Sequence, residues 1–312
     1  MKLRLGTRAS DLAQAQSRRI ARHLVARGHE VEFVLIKTEG DRDQTRPFLD
    51  LGPAGLFVRA LEDALLDSRI DLAVHSFKDV PSLTPSELAI AAMPERLDAR
   101  DRLILQAHAH DPEGAGGLPI RQGMRVGTAS ARRVALLRAL RPDLEVGLLR
   151  GNVPTRLAKL TGVPFDAILL ATAGLLRLDD ATALGEIPDF SRREFVEVDL
   201  DPTRFVPAAS QGALALQIRA EDEAAWSAVH PLDDAPSHRA VHAERRLQAL
   251  VEAGCQVPFG AWCEAQPDGV SLALHGFLER DGRARWTHTT GVDPDALAQV
   301  ALAELLGEGA PS

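Results

Sequence analysis

Two strand–helix–strand runs, one after the other, constrain this chain more than any other feature of its sequence. Lys2 to Gly6 reads as a strand. Ser10 is a good N-cap, Asp11 suits the first helical turn, and Ala13, Ile20 and Leu24 fall on one helix face that Gly28 ends. Val31 to Ile36 follows as a second strand rich in β-branched residues. That order points to a parallel sheet. Glu39 to Pro53 is polar and reads as a mobile loop; Phe57, Leu61, Ala64 and Leu65 then mark a helix by their spacing. Leu72 to Val74 is a short buried strand, and Leu88 to Met93 another. From about Arg100 the alternation restarts. Strands are expected at Arg125 to Gly127, Leu144 to Leu149 and Phe165 to Ala171. A helix follows Ser130, and another has Pro154 near its first position. After Phe205, Ala213 to Ile218 is strand-like. From about Pro231 a small third unit begins with a helix carrying Ala240, Ala243, Leu247 and Leu250, stopped by Gly254. Strands at Ala261 to Ala265, Ser271 to Leu278 and Ala284 to Thr290, and a helix from Pro294 to Leu306, complete it.

Composition narrows the class. The chain has 312 residues, 45% hydrophobic and 26% charged, an ordinary globular balance with room for two domains or three small ones. No apolar run approaches the ~20 residues that span a membrane, and Met1 to Gly6 lacks a signal-peptide core. Two cysteines argue against a disulfide framework, so the cytoplasm is the expected compartment. The net charge of −8 speaks against a general nucleic-acid binder. His108 and His110 sit in a loop without a convincing further ligand, and no metal is expected.

The chemistry gathers at turns. In Asp71 to Pro81 an apolar strand runs into His75, Ser76, Lys78 and Asp79. Open α/β sheets place their sites beyond the carboxyl ends of strands, which makes Asp79 the candidate acid. A surface turn with a solvated Lys78–Asp79 pair is the other reading. Three further turns pair a small polar residue with arginine where a strand hands over to a helix: Thr7-Arg8-Ala9-Ser10, Thr128-Ala129-Ser130-Ala131-Arg132-Arg133, and Arg150-Gly151-Asn152-Val153-Pro154-Thr155-Arg156. Helix N-termini attract anions, and arginine adds a fork matched to carboxylate or phosphate. Together they describe a surface for a polyanion; three ordinary capped helices with solvent-facing arginines would look the same. None matches a nucleotide-binding glycine motif. Finally, Cys255 directly follows a helix-ending glycine, which suits a reactive or attached thiol in a loop, or else an inert one packed under the third unit, whereas Cys263 lies in a strand and reads as a small buried hydrophobe.

These residues resemble one family along essentially the whole chain: hydroxymethylbilane synthase, also called porphobilinogen deaminase. The resemblance rests on Thr7-Arg8-Ala9-Ser10, Gly55-Leu56-Phe57, Val74 to Pro81, Gly127 to Arg133, Leu149 to Arg156, Gln211-Gly212 and Gly254-Cys255-Gln256-Val257-Pro258, in this order and spacing. It implies an α/β fold of two similar domains like type II periplasmic binding proteins, with a double chain crossover, plus a small α+β C-terminal domain. Residues 1–99 with 206–230 would form the first domain, 100–205 the second and 231–312 the third. Ala213 to Ile218 would then return to the first sheet.

The resemblance also implies a reaction. Four porphobilinogen molecules condense head to tail, each losing ammonia, on a dipyrromethane cofactor held by a thioether to Cys255. Each pyrrole carries an acetate and a propionate, so the growing chain is a polyanion. Asp79 matches the catalytic aspartate, which would stabilise positive charge and shuttle protons. The cofactor would be held by Lys78, Ser76, Thr128, Ser130, Arg132, Arg133, Arg150, Gly151 and Gln211. Substrate would meet Arg8, Ser10, Gln16, Arg132, Arg150 and Arg156. The family works as a monomer, with no membrane or nucleic-acid partner. Three positions depart from its pattern: Ala54 replaces a loop lysine, Pro154 a glycine, and Ser210 a glycine before Gln211. A non-catalytic anion-binding module of the same two-lobed shape is the competing reading, but it would need neither the cysteine loop nor the third domain.

Overall fold

A computed structural model describes residues 1–36, 56–162, 164–188, 192–251 and 257–307, with the backbone alone at 56 and 57. Within these residues the chain runs β1 (Lys2–Thr7), α1 (Asp11–Ala26), β2 (Glu30–Leu35), α2 (Leu56–Leu66), β3 (Leu72–Ser76) and β4 (Leu88–Ala92). It continues through β5 (Asp101–Leu105), β6 (Arg125–Thr128), α3 (Ala131–Leu140), β7 (Glu145–Leu148), α4 (Val153–Thr161), β8 (Ala167–Ala171), α5 (Thr172–Ala183) and β9 (Val196–Asp199). It ends with β10 (Leu214–Arg219), α6 (Glu223–Val229), α7 (Ala235–Leu250), β11 (Phe259–Ala265), β12 (Leu272–Arg280), β13 (Arg283–Gly291) and α8 (Pro294–Leu306). The expected loop at Glu39 to Pro53 and the expected helix stop at Gly254 lie outside the described residues.

Two compact units result, one of Met1–Leu97, Leu176–Pro188 and Gly212–His238, the other of Asp98–Leu175, Asp189–Gln211 and Arg239–Ser312. In the first unit five strands are ordered β2-β1-β3-β10-β4. β1 runs parallel to β2 and β3, whereas β10 is antiparallel to both β3 and β4. Ala213 to Ile218 thus does return to the first sheet, as the resemblance implied. Leu3, Leu5, Leu72, Val74 and Leu216 pack with Ile20 and Leu24 of α1. Ala73 packs with Leu61, Ala64 and Leu65 of α2. Period-two strands and period-3.6 helices meet here because each presents one apolar face.

The second unit repeats the topology with the order β7-β6-β8-β5-β9. β6 is parallel to β7 and β8, and β5 is antiparallel to β8 and β9. The expectation of parallel sheets is corrected to mixed ones. In each sheet one strand, β10 or β5, enters from a distant part of the chain and runs against its neighbours. No local strand–helix–strand pattern announces such a strand. The same unit holds the antiparallel sheet β11-β12-β13, which packs Ala261, Cys263, Leu272 and Leu274 against Ala243 and Leu247 of α7 and Leu297 and Ala301 of α8.

Candidate functional site

In the first unit the candidate residues begin where β3 ends. Ala73, Val74 and His75 are buried, and the chain then makes one 3-10 turn, Phe77–Asp79. The Val80 N–H closes it on the Phe77 carbonyl at 3.2 Å, and the Phe77 N–H donates to the Ala213 carbonyl on the β10 side at 3.1 Å. Phe77 and Val80 are buried anchors. With those two side chains turned inward, Asp79 is exposed, and Ser76 and Lys78 are half-buried. A strand end pinned by two apolar anchors thus presents three polar side chains on one short turn.

Behind the turn lies a buried chain of polar groups. His75 Nε2 is 2.9 Å from Gln217 Oε1, and Gln217 Nε2 donates to Glu62 Oε1 at 3.0 Å. The Glu62 carboxylate accepts only, so it fixes the Gln217 amide, whose oxygen accepts from His75. Burial pushes His75 down to about 4, against the opposing hydrogen bond to Gln217, and the ring is neutral at pH 7. His75 is thus a packed residue at the strand end.

At the end of β1, the Ser10 hydroxyl caps α1 by accepting the Ala13 N–H at 3.4 Å. Arg8 is half-buried at this turn, and Gln16 is buried on α1. Arg177 was not legible from the sequence. It is buried on α5, its Nη2 donates to the Gly212 carbonyl at 2.6 Å, and its Nε meets no partner among the described residues. Burial, with Arg19 adding repulsion, pushes this guanidinium down to about 9.

In the second unit the turn after β6 is built from hydroxyls. Thr128 Oγ1 accepts the Ser130 N–H at 3.2 Å, and Ser130 Oγ accepts the Arg133 N–H at 3.5 Å, capping α3. The two arginines that follow do not face solvent: Arg132 is 4% exposed and Arg133 6%. Both turn inward onto Asp101 at the start of β5, which is fully buried. Arg132 Nη1 donates to Asp101 Oδ2 at 2.7 Å and to the Val206 carbonyl at 2.7 Å. Arg133 donates from Nε at 3.1 Å and from Nη2 at 2.6 Å to Asp101 Oδ1, and from Nη1 to the Leu169 carbonyl at 2.8 Å. Gln211 Nε2 reaches Asp101 Oδ1 at 3.0 Å and the Ala99 carbonyl at 2.8 Å. Burial opposes the charge on Asp101, but the two guanidiniums outweigh it and hold the carboxyl far below the usual range. Burial in turn lowers Arg132, with Asp101 opposing.

The last turn joins β7 to α4. Asn152 Oδ1 accepts the Thr155 N–H at 2.9 Å as the helix cap, and Pro154 occupies the first helical turn, where no N–H is needed. Gly151 has φ +118°, and a Cβ there would meet Thr155 Cγ2 at 2.8 Å. Arg156 Nε donates to the Gly151 carbonyl at 2.7 Å, and Lys159 Nζ to the Arg150 carbonyl at 3.0 Å.

The structure therefore gathers Arg132, Arg133 and Gln211 onto one carboxylate, and Ser76, Lys78 and Asp79 onto one turn. Arg150, Gly151 and Arg156 share a third turn. Cys255 and Ala54 lie outside the described residues. Asp101 was missed because Arg100-Asp101-Arg102 reads as solvated alternating charge; nothing local marks the middle residue as buried.

A family model described as "Porphobilinogen deaminase, dipyromethane cofactor binding domain" matches residues 3–227. The chain is 44% identical over 319 residues to the porphobilinogen deaminase of Mycolicibacterium gilvum strain PYR-GCK, covering 99% of this chain and 96% of that one. It is 43% identical over 278 residues to that of Syntrophobacter fumaroxidans, covering 88% and 84%. The porphobilinogen deaminase of Roseiflexus sp. strain RS-1 is 41% identical over 310 residues, covering 98% and 96%. Matched by that family model over residues 3–227 and aligned with these relatives along most of its length, the protein belongs to the porphobilinogen deaminase family.

Proposed function

We propose that this chain condenses four porphobilinogen molecules head to tail, releasing an ammonia from each, and that water then frees the linear tetrapyrrole hydroxymethylbilane. The observation that carries this reading is the buried cationic cluster at Asp101, where two guanidiniums share one carboxylate. Such a cluster is one negative charge short, and buried charge is costly until it is paired. A dipyrromethane, with an acetate and a propionate on each ring, would bring that charge, so the residues present fit the cofactor. Arg132, Arg150, Thr128, Ser130, Gly151, Gln211, Ser76 and Lys78 would hold it, with the Arg133 cation adding charge, and the Cys255 thiolate would carry it as a thioether. When bound, the group supplies a covalent primer on which the chain is extended.

The chain's own residues supply the rest. Arg8, Ser10, Gln16 and Arg156, with Arg132 and Arg150, receive the carboxylates of the incoming porphobilinogen and orient it. Asp79 is exposed on its turn and would meet the pyrrole N–H. Its carboxylate holds positive charge there and moves the proton that the departing amine needs. The enzyme is taken to work as a cytoplasmic monomer. Among the described residues, no helix is long and apolar enough to cross a membrane.

Purified protein given porphobilinogen should release one ammonia for each molecule consumed and one linear tetrapyrrole for every four. Consumption without ammonia, or tight binding without consumption, would contradict the reading.

A further inference from the structure

Arg132 and Arg133 are neighbours on one helix and share one counter-ion, but their donors are spent differently. A guanidinium has five N–H groups on three nitrogens. All three nitrogens of Arg133 are engaged, two on Asp101 Oδ1 and one on the Leu169 carbonyl. Among the described residues, Arg132 makes its bonds through Nη1 alone. Its Nε is buried and without a partner there. A buried donor left unmet costs free energy, so an N–H in this position points to something that completes it.

The surroundings of Arg132 say where that edge lies in the chain. Gly260, in β11, packs on the arginine stem: a Cβ at Gly260 would come within 3.1 Å of Arg132 Cδ and within 2.8 Å of the Val206 and Pro207 carbonyls. β11 is the first strand after Cys255, so Arg132 lies against the element that the cysteine loop enters.

We propose that Asp101 is a positioning residue that divides the labour of the two arginines. Its Oδ1 takes Nε and Nη2 of Arg133 and makes that arginine a fixed internal cation. Its Oδ2 takes Nη1 of Arg132 and so leaves the Nε–Nη2 edge of Arg132 as the fork for one carboxylate of the primer. Asp101 does not touch the primer and acts through Arg132, with Gln211 holding Oδ1 from its other side. This rests on the reading that the chain carries a dipyrromethane on Cys255.

The test uses the full chain made in cells that supply porphobilinogen. Asp101→Asn keeps the shape and removes the charge. Purified well below its melting temperature, it should carry the primer in a fraction at least ~10-fold smaller than wild type, read by intact mass. A variant that folds and loads like wild type would overturn the proposal. Should Asp101→Asn fail to fold, the wild-type side chains decide. The ¹H–¹⁵N resonance of Arg132 Nε–H should differ between the loaded chain and the Cys255→Ser chain, and that of Arg133 should stay in place. A merely structural ion cluster would leave both unmoved, and that result would overturn the division of roles. A wild-type chain that never carries the primer would instead defeat the reading on which the proposal rests.

Discussion

The carboxylate of Glu244 accepts the backbone N–H of Ser210 at 2.6 Å, with both residues fully buried. The other oxygen of the same carboxylate takes the Cys263 N–H at 2.7 Å. Ser210 is held at φ +63°, a left-handed conformation that costs a side-chain-bearing residue ~1–2 kcal/mol. Gln211 follows directly and reaches Asp101. One buried glutamate on α7 therefore ties a strained residue, a β11 amide and, one residue on, the cationic cluster into a single unit.

Ser210→Gly should raise stability by about 1 kcal/mol, since it relieves the left-handed strain and removes a buried hydroxyl oxygen that lacks a partner among the described residues. Glu244→Gln should lower stability by roughly 2–3 kcal/mol, because its NH₂ must face one of the two N–H donors. Denaturant midpoints of the two variants check both signs. Equal stability of Glu244→Gln and wild type would remove the glutamate from this role.

His75 sets an acid sensitivity. Its folded value of about 4 lies below its ordinary 6.5, so between these the unfolded chain binds the extra proton. The contribution is fully present above about pH 6.5 and is lost as pH falls towards 4. It amounts to roughly 3 kcal/mol at ~1.4 kcal/mol per unit. His275, pushed down to about 4 by burial and by His288, adds to the same window and serves as background. His75→Asn should flatten the fall in stability between pH 7 and pH 4.5 relative to wild type. An unchanged slope would show that His75 is not buried neutral.

Gly151→Ala should destabilise the turn before α4 by about 1–3 kcal/mol, because alanine is strained at that φ and its methyl would press on Thr155. Melting temperature gives the first check, and loading with the primer reports whether Arg150 and Arg156 keep their places.

Asp79→Asn should fold as wild type does, since Asp79 is exposed and the turn is anchored by Phe77 and Val80. Turnover should fall by ~10²-fold or more, the size expected for one preorganised charged group. Steady-state rates at saturating porphobilinogen decide. A wild-type rate would take the carboxylate out of the chemistry.

Much of this was legible because it is local. The periodicity of α1, the caps at Ser10 and Ser130, and the polar turn that follows β3 are written within a few residues. Cys263 read correctly as a buried hydrophobe. What escaped is long-range. β5 and β10 run antiparallel because of partners far away in the chain, and Asp101 is buried because Arg132, Arg133 and Gln211, 31 to 110 residues further on, close over it. Arg177 gave no signal, since its burial depends on the Gly212 carbonyl rather than on its own helix. The resemblance named Arg132 and Arg133 together, and only the structure distinguishes them, by which nitrogens each has left.

Whether this chain carries a pyrrole primer on Cys255 is decided by its intact mass. Protein purified from cells that make porphobilinogen should exceed its sequence mass by one dipyrromethane and colour with Ehrlich's reagent, while Cys255→Ser should show the sequence mass alone. Wild-type protein at its bare sequence mass would mean that no primer is attached, and a Cys255→Ser chain that still carries the group would place the attachment elsewhere.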